Sequence, residues 1–302
     1  MPLTKVILNT LTMEAAPKIL VTGSNGQLGS ELKDLAPLYP QYQFVFFNRS
    51  QWPIDDEAVS ASIFEEHKPQ FVVNCAAYTA VDKAESEKET ALRINGTAAG
   101  ILARLCSTHG ARFIHISTDY VFDGQAQEPI TESLPVNPIN SYGQTKLAGE
   151  QAATGKNPDS VIIRTSWVYS SYGNNFVKTM MRLMKERESL GVVNDQYGSP
   201  TYAADLAAAI IAIIRHSDWT PGIYNYSNEG VITWFEFAEE IRKSIDSSCI
   251  VNPITTAQFP TPAKRPAYSV LDKSKIISTY PVQLRDWKES LKECIGKLLA
   301  DS

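Results

Sequence analysis

The chain has 302 residues and a formal charge of −5 at pH 7, from 28 Lys and Arg against 33 Asp and Glu. Its length and hydrophobic content allow one large domain or two smaller ones with a sizeable core. The chain has a small excess of acidic residues and no basic run, so its net charge does not attract nucleic acid or anionic membranes. We therefore expect neither as a partner.

No run reaches the ~18 apolar residues of a membrane span, and residues 1–18 lack the pattern of a secretory signal. We therefore expect a cytoplasmic protein that begins with an N-terminal extension over 1–18. Residues 1–12 are hypothesised to be absent from the native protein, which mass spectrometry showing Met1 or Pro2 at its N-terminus would disprove. Four scattered cysteines and four histidines show no metal-ligand spacing, which predicts reduced thiols and no metal site.

The first apolar run, 19–22, leads into a glycine-rich turn and then a predicted helix over 30–38. Gly23, Gly26 and Gly29 follow a G-x-x-G-x-x-G spacing, a variant of the usual dinucleotide fingerprint. A strand, a glycine turn and a helix in this order bring backbone N–H groups close to a diphosphate. The turn therefore predicts a dinucleotide site, with a purely structural loop as the alternative.

A second strand is predicted over 43–47, and the residues after it bear on which cofactor binds. An acidic residue at that strand end would bind the ribose hydroxyls of NAD. Here the chain reads Asn48-Arg49-Ser50, and an arginine suits a 2′-phosphate. Arg49 therefore favours NADPH as the cofactor, although NADH stays an alternative. The competing interpretation is that Arg49 is simply a solvated loop residue.

Further apolar runs at 71–77 and 112–116, separated by a helical stretch over 85–109, predict parallel strands with helices on both faces. Parallel sheets of this kind bind ligands beyond the carboxyl ends of their strands. We therefore expect an α/β fold with a Rossmann-like doubly wound parallel sheet, whose strand ends share one crevice.

The C-terminal half is less regular. The strand predicted over 161–169 carries Trp167, and it is followed by a helix ending near 187, a strand over 191–194 and a helix over 202–215. Prolines then mark loops in what reads as a smaller C-terminal substrate-binding lobe. The predicted organisation is a dinucleotide-binding domain over 19–168, completed by parts of 190–225, and a lobe formed by 169–189 and 226–302.

Tyr142 and Lys146 are four residues apart in a predicted helix and therefore lie on one face. A phenol has a pKa near ~10, and a neighbouring ammonium group is expected to lower it. Tyr142 is then a candidate acid or base, although a lone pair of this spacing is more often two exposed side chains.

Seven segments, taken together, resemble one known family. They are TGSNGQLGSEL at 22–32, NCAAYTAVDKAE at 74–85, STDYVFDG at 117–124, SYGQTKLAGE at 141–150, RTSWVY at 164–169, GNNFVKTM at 173–180 and VNDQYGSPTYAADLA at 193–207. On these residues the chain resembles the extended short-chain dehydrogenases/reductases and, within them, the dTDP-4-dehydrorhamnose reductase family. The resemblance covers most of residues 19–210.

This resemblance implies NADPH-dependent reduction of dTDP-4-dehydrorhamnose to dTDP-L-rhamnose, in nucleotide-sugar biosynthesis. By similarity, Tyr142 donates the proton, Thr118 orients the carbonyl, and Lys146 binds the nicotinamide ribose. Together with the glycine turn and Arg49, the expected cofactor contacts are Gly23, Gly26, Gln27, Leu28, Arg49, Ile54, Ala77, Tyr78, Thr79, Tyr142 and Lys146. The expected substrate contacts are Thr118, Asp119, Tyr120, Trp167 and Arg265.

Two positions refine this expectation. Dehydratases of the superfamily carry an acidic pair after the threonine, whereas here Asp119 is followed by Tyr120, which favours reduction over dehydration. The family often has an aspartate where this chain has Pro53, and proline offers neither an N–H nor a carboxylate. Adenine recognition would then rest on the Ile54 backbone or on Asp55.

Other functions fit the same motifs. One is a reductase of another 4-keto nucleotide sugar, because no single residue distinguishes a thymine pocket from a uracil pocket. The other is a non-catalytic dinucleotide-binding subunit, like the regulatory subunit of methionine adenosyltransferase. Intact Thr118, Tyr142 and Lys146 favour catalysis. A homodimer is also compatible with the sequence.

Overall fold

The structure is a computed structural model that describes residues 16–300. The strands are β1 (Lys18–Thr22), β2 (Gln43–Phe47), β3 (Phe71–Asn74), β4 (Arg112–Thr118), β5 (Val161–Thr165), β6 (Val168–Tyr169), β7 (Ser189–Val193), β8 (Tyr197–Gly198), β9 (Thr201–Tyr202), β10 (Gly222–Tyr226), β11 (Ile232–Thr233) and β12 (Ile250–Ile254). The helices are α1 (Gln27–Leu35), α2 (Glu57–His67), α3 (Lys88–Leu92), α4 (Ala98–His109), α5 (Ser141–Lys156), α6 (Phe176–Glu186), α7 (Ala203–Arg215), α8 (Trp234–Ser244), α9 (Ser274–Thr279) and α10 (Trp287–Ala300).

The central sheet has six parallel strands in the order β2-β1-β3-β4-β5-β10, which confirms the predicted α/β fold. The chain moves outward from β1 to β2 and then returns to place β3 on the other side of β1. Such a reversal leaves a crevice between the two strand ends. The cavity described below opens at this place.

Two apolar clusters cover the two faces of the sheet, because successive side chains of a strand point to opposite sides. Ile19 and Val21 of β1 pack on one face with α1 and α7, whereas Leu20 packs on the other with α2 and α4. Burying both faces explains why these strands are continuous apolar runs rather than alternating ones.

A third apolar cluster lies outside the sheet and is built by α6, α8, α10 and the pair β7–β12. It includes Val177, Phe237 and Leu291, which are fully buried. Residues 276–282 of the predicted C-terminal lobe pack instead with the sheet cluster, through Ile276 and Tyr280. The sheet and the predicted lobe therefore interlock near the end of the chain.

Several boundaries differ from the predictions. Of the predicted extension, residues 1–15 lie outside the described residues, and Lys18 belongs to β1. The first helix begins at Gln27 rather than residue 30, directly after the extended Gly26. The strand predicted over 161–169 ends at Thr165, because Trp167 has a left-handed backbone (φ 48°) that interrupts pairing.

The helix predicted over 85–109 contains a wide π-helical turn at 93–97 between α3 and α4. At this turn the carbonyl of Asn95 lies against Gly149 of α5, leaving no room for a Cβ there. The Asn95 side chain hydrogen-bonds the Tyr78 backbone and the Thr145 hydroxyl. Wide turns of this kind are frequent near functional sites.

We expect Gly149→Ala to lower the free energy of unfolding by about 1–3 kcal/mol, because the new methyl group meets a backbone carbonyl that cannot rotate away. Gly155→Ala in the same helix is the matched control, since its Cβ would have nothing within 4 Å. That change should raise stability by about 0.5–1 kcal/mol. Urea unfolding of both variants checks this, and equal effects would contradict it.

Candidate active site

The glycine turn after β1 forms a tight cradle at the start of α1. Gly23 has φ +66°, and a Cβ there would lie 2.7 Å from the backbone nitrogen of Ala76. A Cβ at Gly29 would collide with the Gly23 carbonyl, and the Gly26 N–H donates to that same carbonyl at 2.9 Å. These glycines let β1, β3 and the helix N-terminus approach one another, which leaves room for a diphosphate against backbone N–H groups.

This cradle opens into a cavity of about 890 Å³ at the carboxyl ends of the strands. The predicted cofactor contacts that line it are Gly23, Gly26, Gln27, Leu28, Arg49, Ile54, Ala77, Tyr78, Thr79, Tyr142 and Lys146. The predicted substrate contacts that line it are Thr118, Asp119, Tyr120 and Trp167. The structure therefore brings together every predicted site residue except Arg265.

Arg49 lies on the rim of the cavity, directly after β2, and its side chain is exposed. Within residues 16–300 it forms no ion pair. Asn48 fixes the turn that carries it, because the Asn48 Oδ1 accepts from the backbone nitrogens of Ser50 (2.9 Å) and Gln51 (3.1 Å). The guanidinium is thus free to meet an anionic group at this end.

Ile54 is buried and lines the same end of the cavity. The neighbouring Asp55 carboxylate accepts from Arg93 Nε at 2.8 Å. Of the two groups predicted to recognise adenine, the Asp55 carboxylate is therefore already paired. The Ile54 backbone is the other predicted group.

Thr118 and Tyr142 are neighbours in the cavity wall. Thr118 is the last residue of β4, and its hydroxyl donates to Asp119 Oδ1 at 2.9 Å. Tyr142 lies in the first turn of α5, which Asn140 caps by accepting from the Gly143 N–H at 2.7 Å. A Cβ on Gly143 would collide with the Tyr120 carbonyl, so this glycine allows the helix to approach the Thr118 strand end closely.

Burial raises the pKa of Tyr142 to about 12, the Thr118 hydroxyl lowers it, and the charge on Asp119 raises it further. Lys146 is not among the groups that shift this pKa, contrary to the prediction that it lowers it. The Lys146 ammonium instead donates to the Ile116 carbonyl at 2.6 Å. Tyr142 therefore remains protonated at neutral pH, as a proton donor must.

Lys146 is itself buried, and burial lowers its pKa to about 8 while the nearby Glu150 carboxylate raises it. An ammonium group held in a cavity wall by a single carbonyl keeps donors available for a ligand. Its position beside Tyr142 suits a hydroxyl-bearing group such as a ribose.

Burial raises the pKa of Asp119 to about 7, and the hydrogen bond from Thr118 partly opposes this. Asp119 Oδ1 accepts that bond, whereas the buried Oδ2 has no hydrogen-bond partner within residues 16–300. In the unfolded chain the pKa of an aspartate is about 3.9. At pH values between about 3.9 and about 7, Asp119 is therefore protonated in the folded protein but not in the unfolded chain. Asp119 therefore makes stability fall as the pH rises through this range.

We expect Asp119→Asn to abolish that part of the pH dependence. Relative to the parent protein, the variant should gain roughly 2–4 kcal/mol in free energy of unfolding between pH 4 and pH 8. Urea unfolding at both pH values measures the change, with exposed Asp218→Asn as the control. A stability difference that stays the same at both pH values would contradict the assignment.

Arg265 does not line the cavity. Its guanidinium binds Asp82 through two contacts, of 2.6 and 2.8 Å, and also donates to the Ala263 carbonyl. Burial raises the pKa of the cavity residue Tyr120, and the Arg265 charge partly opposes this rise, so Arg265 lies just behind the wall. A diphosphate contact, as predicted for Arg265, would require it to exchange partners.

The aromatic end of the cavity contains residues that the sequence did not indicate. Trp167 stacks on Trp234, with ring centroids 3.6 Å apart and an interplanar angle of 13°. Phe176 packs on Trp234 at 4.7 Å, and both line the cavity with Trp167. For Trp234, the local signal in the sequence was its position directly after the helix-capping Thr233. An aromatic residue at a helix start does not by itself indicate a functional site.

A buried ion pair supports the helix that carries Tyr142 and Lys146. Glu150 accepts from Arg164 Nε at 2.9 Å and from its terminal nitrogen at 2.7 Å, and from the Ser117 hydroxyl at 2.5 Å. The two charged side chains are only 2% and 3% exposed. This network ties α5 to β4 and β5 directly behind the cavity.

Within the described part of the chain, no cluster of His, Cys, Asp or Glu could hold a metal ion. No helix between residues 16 and 300 is both long and apolar enough to cross a bilayer. All four cysteines are free.

The profile of the RmlD substrate binding domain matches residues 17–300. A dTDP-4-dehydrorhamnose reductase of Aggregatibacter actinomycetemcomitans is 40% identical over 285 residues, which cover 91% of this chain and 97% of the relative. A Clostridium acetobutylicum dTDP-4-dehydrorhamnose reductase structure is 43% identical, with a TM-score of 0.89 over 93% of this chain and 99% of that one. The Bacillus anthracis dTDP-4-dehydrorhamnose reductase, solved in complex with NADP, is 39% identical with the same TM-score over 94% and 100%. Because the profile and these relatives span nearly the whole chain, the protein belongs to the RmlD family, as its motifs predicted.

Proposed function

We propose that the protein reduces dTDP-4-dehydrorhamnose to dTDP-L-rhamnose with NADPH. The observation that carries this proposal is that Thr118, Tyr142 and Lys146 converge in the cavity into which the glycine cradle opens. Relatives about 40% identical over nearly their full length are named for this reaction. The four free cysteines fit a reducing compartment such as the cytoplasm.

NADPH, when bound, would supply the hydride. The glycine cradle suits its diphosphate, because Gly23 and Gly29 pack without side chains against neighbouring backbone and so bring the N-terminus of α1 to the cavity. Gln27 and Leu28 begin α1 at this cradle, and the backbone at 77–79 lines the next stretch of the cavity. Asn95 fixes that stretch by bonding both the N–H and the carbonyl of Tyr78, at 2.8 and 3.0 Å.

The residues of the chain would handle the charge that develops on the carbonyl oxygen. Thr118 and Tyr142 both line the cavity, and their hydroxyls would serve as the two donors that stabilise an oxyanion, once Thr118 redirects the hydrogen that it donates to Asp119. Tyr142 then transfers its proton to that oxygen, and its high pKa ensures that it holds the proton beforehand. Lys146 orients the ribose beside it. Asp119 and Trp167 would contact the sugar nucleotide, and we propose that the lobe built on α6, α8 and α10 completes this part of the site.

We expect Arg49→Ala to raise the KM for NADPH roughly ten- to hundredfold, because a charge-assisted contact with the 2′-phosphate is lost. The KM for NADH, which has no such phosphate, should change less than about twofold. Steady-state kinetics with both cofactors measure the difference. Arg187→Ala is the control, since this exposed arginine lies outside the cavity, and equal effects on both cofactors would contradict the role of Arg49.

The proposed reaction is tested by following nicotinamide absorbance with NADPH and dTDP-4-dehydrorhamnose. Loss of absorbance with formation of dTDP-L-rhamnose supports the proposal. A panel of other 4-keto nucleotide sugars tests the choice of substrate. Tight NADPH binding without turnover of any of them would instead support a binding subunit.

A further inference from the structure

We propose that Trp234 is a positioning residue for the nucleotide sugar, which holds the Trp167 indole in place at the substrate end of the cavity. The inference rests on the proposed function. Trp167 lies beyond β5 of the sheet, and Trp234 is the first residue of α8. Both rings pack against the third apolar cluster and both line the cavity, so residues far apart in the chain form one aromatic wall there.

Trp167 is held in place by its neighbours. Its backbone has φ 48°, which costs free energy for a bulky residue and persists only where the surroundings hold it. The backbone of Gly198 packs against its indole, since a Cβ there would lie 2.6 Å from Cε2. Trp234 stacks at 3.6 Å. The Gly198 backbone and the Trp234 ring thus restrain the indole, which also packs against the third apolar cluster.

Trp234 is anchored by the start of α8. It follows Thr233, whose hydroxyl accepts from the Glu236 N–H at 3.2 Å, while the Glu236 carboxylate accepts from the Thr233 N–H at 2.7 Å. This capping box defines the start of α8. The Thr233 hydroxyl also donates to Asn194 Oδ1 at 2.8 Å, and Phe176 packs on the Trp234 ring. The ring that restrains Trp167 is therefore itself well anchored.

The consequence is specific to the substrate. Trp234 is not among the expected cofactor contacts, and its ring stacks on Trp167, which is an expected substrate contact in the same cavity. Loss of its ring would free the Trp167 indole and widen this end only. Binding of a nucleotide sugar should then weaken while binding of the dinucleotide and the proton transfer from Tyr142 are retained.

Kinetics of Trp234→Ala and Trp234→Phe test this. For Trp234→Ala we expect a roughly five- to tenfold higher KM for dTDP-4-dehydrorhamnose, the scale of a lost aromatic pair. The KM for NADPH and kcat should stay within about twofold, and Trp234→Phe should recover most of the loss. Trp219→Phe is the control, because its indole donates to the Asp159 carbonyl outside the cavity. An unchanged substrate KM in Trp234→Ala, or a parallel change in kcat and the KM for NADPH, would overturn the inference.

A binding measurement separates this inference from the proposed reaction. Calorimetric titration with dTDP-glucose requires no turnover and compares the parent protein directly with Trp234→Ala. An affinity at least about fivefold lower in the variant supports the role of Trp234 even if no reduction is detected, in which case the proposed reaction alone fails. Equal results for the two proteins overturn the role of Trp234 even if the parent protein turns over.

Discussion

Replacing Tyr142 by phenylalanine should lower kcat by about 10²–10⁴-fold, the usual scale for loss of a general acid. Phenylalanine keeps the ring that packs edge-on against Tyr120, with centroids 5.7 Å apart, so the fold of the site should persist. The variant lacks only the hydroxyl that donates to the carbonyl oxygen. Affinity for NADPH should change little, because the glycine cradle and Lys146 remain.

Product formation in a stopped assay measures kcat. A fluorescence titration with NADPH measures the affinity for the cofactor separately. Tyr197→Phe is the matched control, since this tyrosine is 46% exposed and lies outside the cavity. Full activity in Tyr142→Phe would show that the proton comes from another group. A large loss of cofactor affinity would instead show that the hydroxyl serves mainly in binding.

Replacing Glu150 by alanine should lower the free energy of unfolding by about 3–5 kcal/mol, the largest stability effect we expect. The change leaves the Arg164 guanidinium buried without its carboxylate and also removes the acceptor of the Ser117 hydroxyl. Within residues 16–300, the Arg164 guanidinium would keep its contact with the Phe122 ring, 5.0 Å away, and a long bond to the Glu132 carbonyl. Neither replaces a paired charge in a site that is almost fully buried.

Two comparisons isolate this effect in urea unfolding. Glu186→Ala breaks an exposed ion pair with Arg182 and should cost no more than about 1 kcal/mol. The double variant Glu150→Met with Arg164→Met should recover much of the stability, because an apolar pair of similar size leaves no buried charge. A cost below about 1 kcal/mol for Glu150→Ala would mean that water reaches Arg164.

The parts of the proposed site that depend on short segments could be proposed from the sequence. Gly23, Gly26 and Gly29 are spaced within a single turn, and Tyr142 and Lys146 within a single helical turn, so local geometry alone relates them. Arg49 was recognised because it directly follows a strand. The structure places all of these in one cavity.

Residues brought together from distant parts of the chain were not predictable in this way. Arg265 is 183 positions from Asp82, and nothing near either residue signals their pairing. Trp234 reads locally as an ordinary residue at a helix start, and its role depends on Trp167, which is distant from it in the chain. The Tyr142 pKa likewise depends on burial, which spacing along a helix does not reveal.

By itself, then, the sequence determined the parallel sheet, the glycine turn and the pair Tyr142 and Lys146, because apolar runs, glycine positions and helical spacing act over a few residues. Only the tertiary structure decided that Asp82 engages Arg265, that Glu150 and Arg164 form a buried pair, and that Trp234 restrains Trp167. These depend on desolvation and on contacts between elements far apart in the chain, which no single segment encodes.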